Sequence, residues 1–138
     1  GVSVVIDSLC QEYDKLGIDV AVGCLETDGF FKETTVVELK PNFESIHAFA
    51  SKIKATVIVS HTTPFFELLP RLARNYRVWS WEHGDPDPEF FIWDRQERQA
   101  IINRKQREIY KHLDGVIAIS DFIRDEIRYH QAERRQPL

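Results

Sequence analysis

Residues 78–88 read VWSWEHGDPDP, and how this stretch is read decides the fold. Val78, Trp79, Ser80 and Trp81 alternate in kind, as side chains do along a strand whose neighbours point to opposite faces. Glu82, His83 and Gly84 follow without a break, and residues 85–88 then form an Asp-Pro-Asp-Pro turn. In an open α/β sheet, ligands bind in the crevice beyond the carboxyl ends of the strands. A histidine on that rim changes charge near neutral pH. The opening question is therefore whether the flanking sequence supplies such a sheet.

It does so on both sides. Upstream, residues 55–60 are a nearly continuous β-branched run, the mark of a strand buried on both faces of a parallel sheet, and the run ends at His61. Thr62 or Thr63 then caps a helix with Pro64 in its first turn and Phe66, Leu69, Leu72 and Ala73 inward, interrupted at Pro70. Downstream of the Pro-rich turn, residues 94–112 read as a long polar helix with Ile102, Ile109 and Leu113 on its buried side. Residues 115–119 make a short apolar strand, Ser120 and Asp121 end it, and residues 122–129 form the last helix. Toward the N-terminus, Val2, Val5, Ile6, Leu9, Tyr13 and Leu16 share a helical face that Gly17 stops. Residues 18–24 and 34–39 are strands, and residues 43–53 a helix. Helix and strand alternate, which predicts an α/β layer fold with a mostly parallel sheet and helices on both faces.

Composition bounds the function. The 138 residues make one domain's worth of chain, long enough to bury a core. A net charge of -4 argues against a nucleic-acid binder. The charge is uneven: residues 1–90 hold 8 Lys+Arg against 14 Asp+Glu, and residues 91–138 hold 10 against 8. A basic face on the 94–112 helix is either a solvated surface or a meeting place for phosphate or anionic lipid. Two cysteines, Cys10 and Cys24, are no disulfide framework and fit a reducing compartment. With no apolar run long enough to span a bilayer and no signal-peptide layout, a soluble, cytoplasmic chain is expected.

Several residues carry chemistry in outline. The N-terminus of the first helix, opened by Gly1, offers free N–H groups and a positive dipole end suited to a diphosphate, or is a plain turn. Glu82 is placed to set the charge of His83 or contact substrate, although neighbours on a strand face opposite ways. Glu82, His83, Asp85, Asp87 and Asp94 invite a divalent-metal reading, but their spacing fits no metal motif, and no metal or cofactor is assigned. Most aromatics belong to the core. Phe90, Phe91 and Trp93, just after the turn, are expected to form an exposed apolar patch.

The order of a glycine turn, a helix ending KLG, the strand IDVAVGCLE, a strand ending at His61, a strand ending EHG, and DGVIAIS before a helix resembles the N-terminal domain of family 4 glycosyltransferases. The resemblance covers about residues 1–127. It implies a Rossmann-like half of a GT-B fold whose first strand and C-terminal nucleotide-sugar domain lie outside this sequence, so that residues 1–138 are one domain of a longer protein. Only one glycine of the family's GG turn is present, at Gly1. Glu89 and Glu97 match the family's Glu-x7-Glu spacing but fall outside its expected context and are read as coincidence.

The resemblance further implies sugar transfer from a nucleotide-sugar donor to a carbohydrate or lipid-linked acceptor, with retention. Peripheral contact with the inner face of a membrane goes with a lipid-linked acceptor. His83 is then the catalytic residue beside the sugar, and Gly1 lies by the donor diphosphate. His61, Thr62, Glu82, Gly84, Asp85 and Ser120 lie on the acceptor side, while capping is an equal account of His61 and the plainer one for Ser120. Two other classes stay open: a non-catalytic α/β docking module using the basic helix, and a metal-dependent hydrolase at the Asp-Pro turn.

Overall fold

The computed structural model describes residues 1–62, 64–83, 104, 105 and 107–133, with the side chains of residues 126 and 129–133 outside the description. The chain divides into two compact units, Gly1–Ile53 and Lys54–Leu138. Among the described residues the strand pairs are parallel, and helices and strands are interspersed along the sequence. This is the α/β class expected of the alternating pattern.

In the first unit, helix α1 (Val2–Lys15) leads to β1 (Ala21–Cys24), which pairs with β2 (Thr35–Glu38), and α2 (Phe43–Lys52) follows. The end of α1 explains Gly17. Its N–H bonds to Asp14 O at 3.0 Å and the Ile18 N–H reaches back to Tyr13 O at 2.9 Å, closing the helix with a residue at φ 73°. Glycine alone adopts that left-handed conformation without a Cβ penalty. Leu16 lies at the C-cap beyond the last turn and is 73% exposed, so it falls outside the inward face on which its spacing puts it, while Cys10 is the buried residue of α1. Asn42 caps α2, its Oδ1 accepting from the Ser45 N–H at 2.8 Å, while Ser45 Oγ accepts from the Lys40 N–H. Cys10, Ile46 and Ala50 are the buried centre, and both cysteines are free thiols.

The second unit carries the larger core. Strands β3 (Val57–Ser60), β4 (Arg77–Glu82) and β5 (Gly115–Ala118) form a sheet in that order. Between β3 and β4 the expected single helix is broken in two. A 3-10 turn at Phe65–Leu68 precedes a one-turn helix, α3 (Leu69–Leu72), in whose first turn Pro70 falls. Pro70 lacks an N–H to continue the preceding turn, which is the interruption its position predicts. Another 3-10 turn (Tyr110–His112) leads into β5, and α4 (Asp121–Glu133) ends the described chain. The strand β3 is less buried than its β-branched run predicts. Val57 is 47% exposed, because among the described residues β3 has a partner on one side only.

The strand at the heart of the sequence reading is confirmed in detail. Along β4, Val78, Ser80 and Glu82 are buried, alternating with the more accessible Trp79 and Trp81. Val78, Leu69, Leu72 and Ile109 are among the most buried side chains of the unit. Each such aliphatic group contributes roughly 1.5–3 kcal/mol by leaving water. Asp114 fixes the start of the β4–β5 ladder: its Oδ2 accepts from the Val78 N–H at 2.7 Å and its own N–H donates to Val78 O at 2.9 Å. Across that ladder Gly115 stands opposite Trp79, where a methyl group would collide with the indole.

Candidate functional site

Parallel pairing of β3 with β4 sets Ser60 beside Ser80. One step further, His61 leaves β3 on the same side as Trp81, and His83 lies two residues beyond Trp81 on the same face of β4. The register thus gathers three rings at the carboxyl ends of two neighbouring strands. His61 Nδ1 and His83 Nε2 are 2.8 Å apart, a hydrogen bond in which one imidazole donates and the other accepts. The Trp81 indole stacks with both, its centroid 5.3 Å from His61 and 6.0 Å from His83.

This environment holds the rings neutral. Burial, and secondarily the charge on His83, pulls the His61 imidazole down to about 4. Burial also lowers His83, opposed by the negative charge of Glu82. A second proton on the pair would place two imidazolium rings in contact, so a low affinity for it follows from Coulomb repulsion. Two buried polar atoms have no hydrogen-bond partner among the described residues: Trp81 Nε1 on this face, and Ser60 Oγ on the opposite face, beside Ser80.

Glu82 faces the opposite way, as strand alternation requires, and is 4% exposed. Its carboxylate is fully engaged. Lys105 Nζ approaches Oε2 at 3.2 Å and Oε1 at 3.3 Å, while the Tyr110 hydroxyl donates to Oε1 at 2.7 Å and Ser80 Oγ at 3.0 Å. Lys105 is itself buried, with its ammonium 4.6 Å from the centroid of the Phe66 ring and 5.5 Å from that of Tyr110. A buried cation is tolerable when paired and laid on aromatic faces. Burial, with the adjacent Glu82 charge, pushes the Tyr110 phenol far above its ordinary range, so it stays a donor. Outside this network, Arg104 pairs with Glu67 in the turn after β3 and holds its carboxyl below the usual range.

The structure therefore brings His61 and His83 together, with Glu82 just behind the strand. Thr62 is exposed beside His61. Ser120 is exposed at the end of β5, where its Oγ accepts from the Ile123 N–H at 3.2 Å and caps α4. Gly1 opens α1 in the other unit, its carbonyl accepting from the Val4 N–H, and a Cβ there would meet nothing within 4 Å. Gly84 and Asp85 lie outside the described residues, as do Thr63, Asp87, Asp94, the aromatic patch Phe90, Phe91 and Trp93, the pair Glu89 and Glu97, and most of the 94–112 helix. Among the described residues no cluster of three or more His, Cys, Asp or Glu is placed to hold a metal. None of their helices is long and apolar enough to cross a membrane. A depression of about 410 Å³ is lined by Glu67, Pro70, Arg71, Ala73, Arg74 and His112, none of them in the imidazole cluster. Its residues lead into the amino ends of β4 and β5, the opposite end of the strands from the histidines.

Sequence reasoning missed Lys105 and Tyr110. The signal was present for Lys105: it falls at the third position between Ile102 and Ile109, on the stripe that reads as the buried side of its helix.

The family model described as Glycosyltransferase Family 4 matches residues 1–136. No match was found among the curated proteins or the solved structures.

Proposed function

The chain belongs to glycosyltransferase family 4, and from that premise we propose that it forms the acceptor-side half of a two-domain enzyme. That enzyme moves a sugar from a nucleotide donor to an alcohol of a carbohydrate or lipid-linked acceptor, with retention, in the cytoplasm. The observation that carries this reading is the imidazole pair at the carboxyl ends of β3 and β4, where open α/β sheets bind their ligands.

Retaining transfer without a protein nucleophile needs the leaving diphosphate and an oxocarbenium-like sugar stabilised by fixed charge and dipoles. In this reading His83 contacts the transferring sugar and the acceptor hydroxyl. Neutral at working pH, it can accept a hydrogen bond from that hydroxyl. His61 and Thr62 extend the same rim, and Gly84 and Asp85 continue it along the chain. Ser120 adds the exposed N-terminus of α4 at the end of β5. Glu82 serves the site from behind, holding the end of β4 through Lys105 and Tyr110. Gly1 contributes the N-terminus of α1 to the donor diphosphate, and the second domain brings the rest of the nucleotide pocket.

The test is His83→Ala in the full-length protein, assayed for transfer from its cognate donor. A loss of about 10²-fold or more in kcat is expected, the ordinary scale for a group that handles a proton in the transition state. A variant as fast as the parent would remove His83 from the site.

A further inference from the structure

We propose that His61 and His83 work as one proton-relay unit, in which His61 shares the proton of the catalytic imidazole and passes it on. The inference rests on the reading of His83 as the residue facing the acceptor, and deepens it. It is carried by the 2.8 Å contact between His61 Nδ1 and His83 Nε2 and by the indole of Trp81 that stacks on both rings and holds them in register.

Two neutral imidazoles joined this way hold one proton in the bridge and one more on their two outer nitrogens, His83 Nδ1 and His61 Nε2. If the bridging proton sits on His83 Nε2, then His83 Nδ1 is a bare acceptor and His61 Nε2 carries a proton. Moving the bridging proton to His61 Nδ1 reverses both roles. The rings must therefore hold the same tautomer, both Nε2–H or both Nδ1–H.

The relay follows with its atoms in balance. The acceptor hydroxyl gives its proton to His83 Nδ1, the bridging proton moves from His83 Nε2 to His61 Nδ1, and the proton on His61 Nε2 departs. Meanwhile the acceptor oxygen forms its bond to the anomeric carbon as the bond from that carbon to the donor diphosphate breaks. The electron pair leaves with the diphosphate oxygen, which takes up the released proton directly or through water. No net charge accumulates on the histidines. Among the described residues, the charged groups acting on the pair are the rings themselves, when protonated, and, for His83, Glu82 on the reverse face of β4. The low proton affinity of both rings keeps them neutral and ready to relay at physiological pH.

The experiment reads the ring nitrogens of the full-length protein by ¹⁵N NMR without substrate, assigning His61 and His83 by substitution. Matching tautomers are expected, together with resonances that move in concert as the pair binds a single proton below the ordinary histidine value of about 6.5. Opposite tautomers, or two rings that titrate independently, would overturn the proposal. The kinetic arm uses two variants. His61→Phe keeps a ring against Trp81 but cannot share a proton, and is expected to lower kcat about 10-fold or more with KM within about twofold, while His83 relaxes to a mixture of tautomers. His61→Asn restores a hydrogen-bonding atom near the Nδ1 position and should restore one tautomer of His83 but not the rate; full recovery of rate would show that His61 only positions its partner, and the relay would fall. Failure of the functional reading looks different. If His83→Ala transfers sugar normally, the acceptor-side assignment fails whatever tautomers the NMR finds.

Discussion

Glu82 and His83 are adjacent in sequence and opposite in everything else. Glu82 sits on the face of β4 that carries Val78 and Ser80, 4% exposed and holding contacts to Lys105, Tyr110 and Ser80. His83 sits on the face of Trp79 and Trp81, half-buried, and is tied to His61 by a hydrogen bond between two neutral rings. One side is saturated and charged; the other keeps ring nitrogens for chemistry. A single strand end thus divides the labour by the two-residue period of its side chains. The saturated face holds the strand, and the imidazole face is the one we propose meets the substrate.

The largest effect that can break this division is on the saturated face. Lys105→Met leaves the Glu82 carboxylate buried without its cation, and should destabilise folding by about 3–5 kcal/mol in a denaturant titration. Removing both charges, as Glu82→Gln with Lys105→Met, should recover most of that loss. If Lys105→Met unfolds at the parent's denaturant midpoint, the network is not what anchors β4. A smaller effect is expected on the imidazole face, where packing and not charge sets the limit. Gly115→Ala drives a methyl group into the Trp79 ring and should cost about 1–3 kcal/mol by the same measurement.

The smallest effect is a pH dependence, and its sign separates the two faces. The proton affinities of His61 and His83 are lower in the folded chain than in the unfolded one, so the unfolded state takes up protons first as the solution is acidified. Their contribution to stability is complete above the ordinary histidine value of about 6.5, and for His61 it is lost as pH falls toward about 4. Thermal midpoints should therefore decline between pH 7 and pH 5 in the parent and decline less in His61→Phe. Equal slopes would place the histidines outside the folding linkage.

Much of this strand end was legible in the sequence. The alternation of Val78, Trp79, Ser80 and Trp81 gave the two faces, and His61 and His83 were recognisable as strand-terminal groups because a β-branched run and an alternating run stop at them. That they touch was not legible. The contact depends on the β3–β4 register, which sets Ser60 beside Ser80, and register is a property of the folded sheet. Lys105 was hidden for another reason: a charged residue in a polar helix is ordinarily solvated, and only the aromatic faces of Phe66 and Tyr110 with the Glu82 carboxylate make its burial tolerable. The break after His61 was legible from Pro70; that its two pieces are a 3-10 turn and a single α-turn was not, because an inward apolar face fits either kind of turn.

The most direct measurement takes His83→Ala and Lys105→Met side by side in the full-length protein, recording unfolding free energy and the kcat of sugar transfer for each. The account predicts that His83→Ala keeps its stability within about 1 kcal/mol while losing about 10²-fold or more in kcat, and that Lys105→Met shows its loss first in stability. A His83→Ala protein that transfers sugar at the parental rate, or that loses activity only because it unfolds, would contradict it.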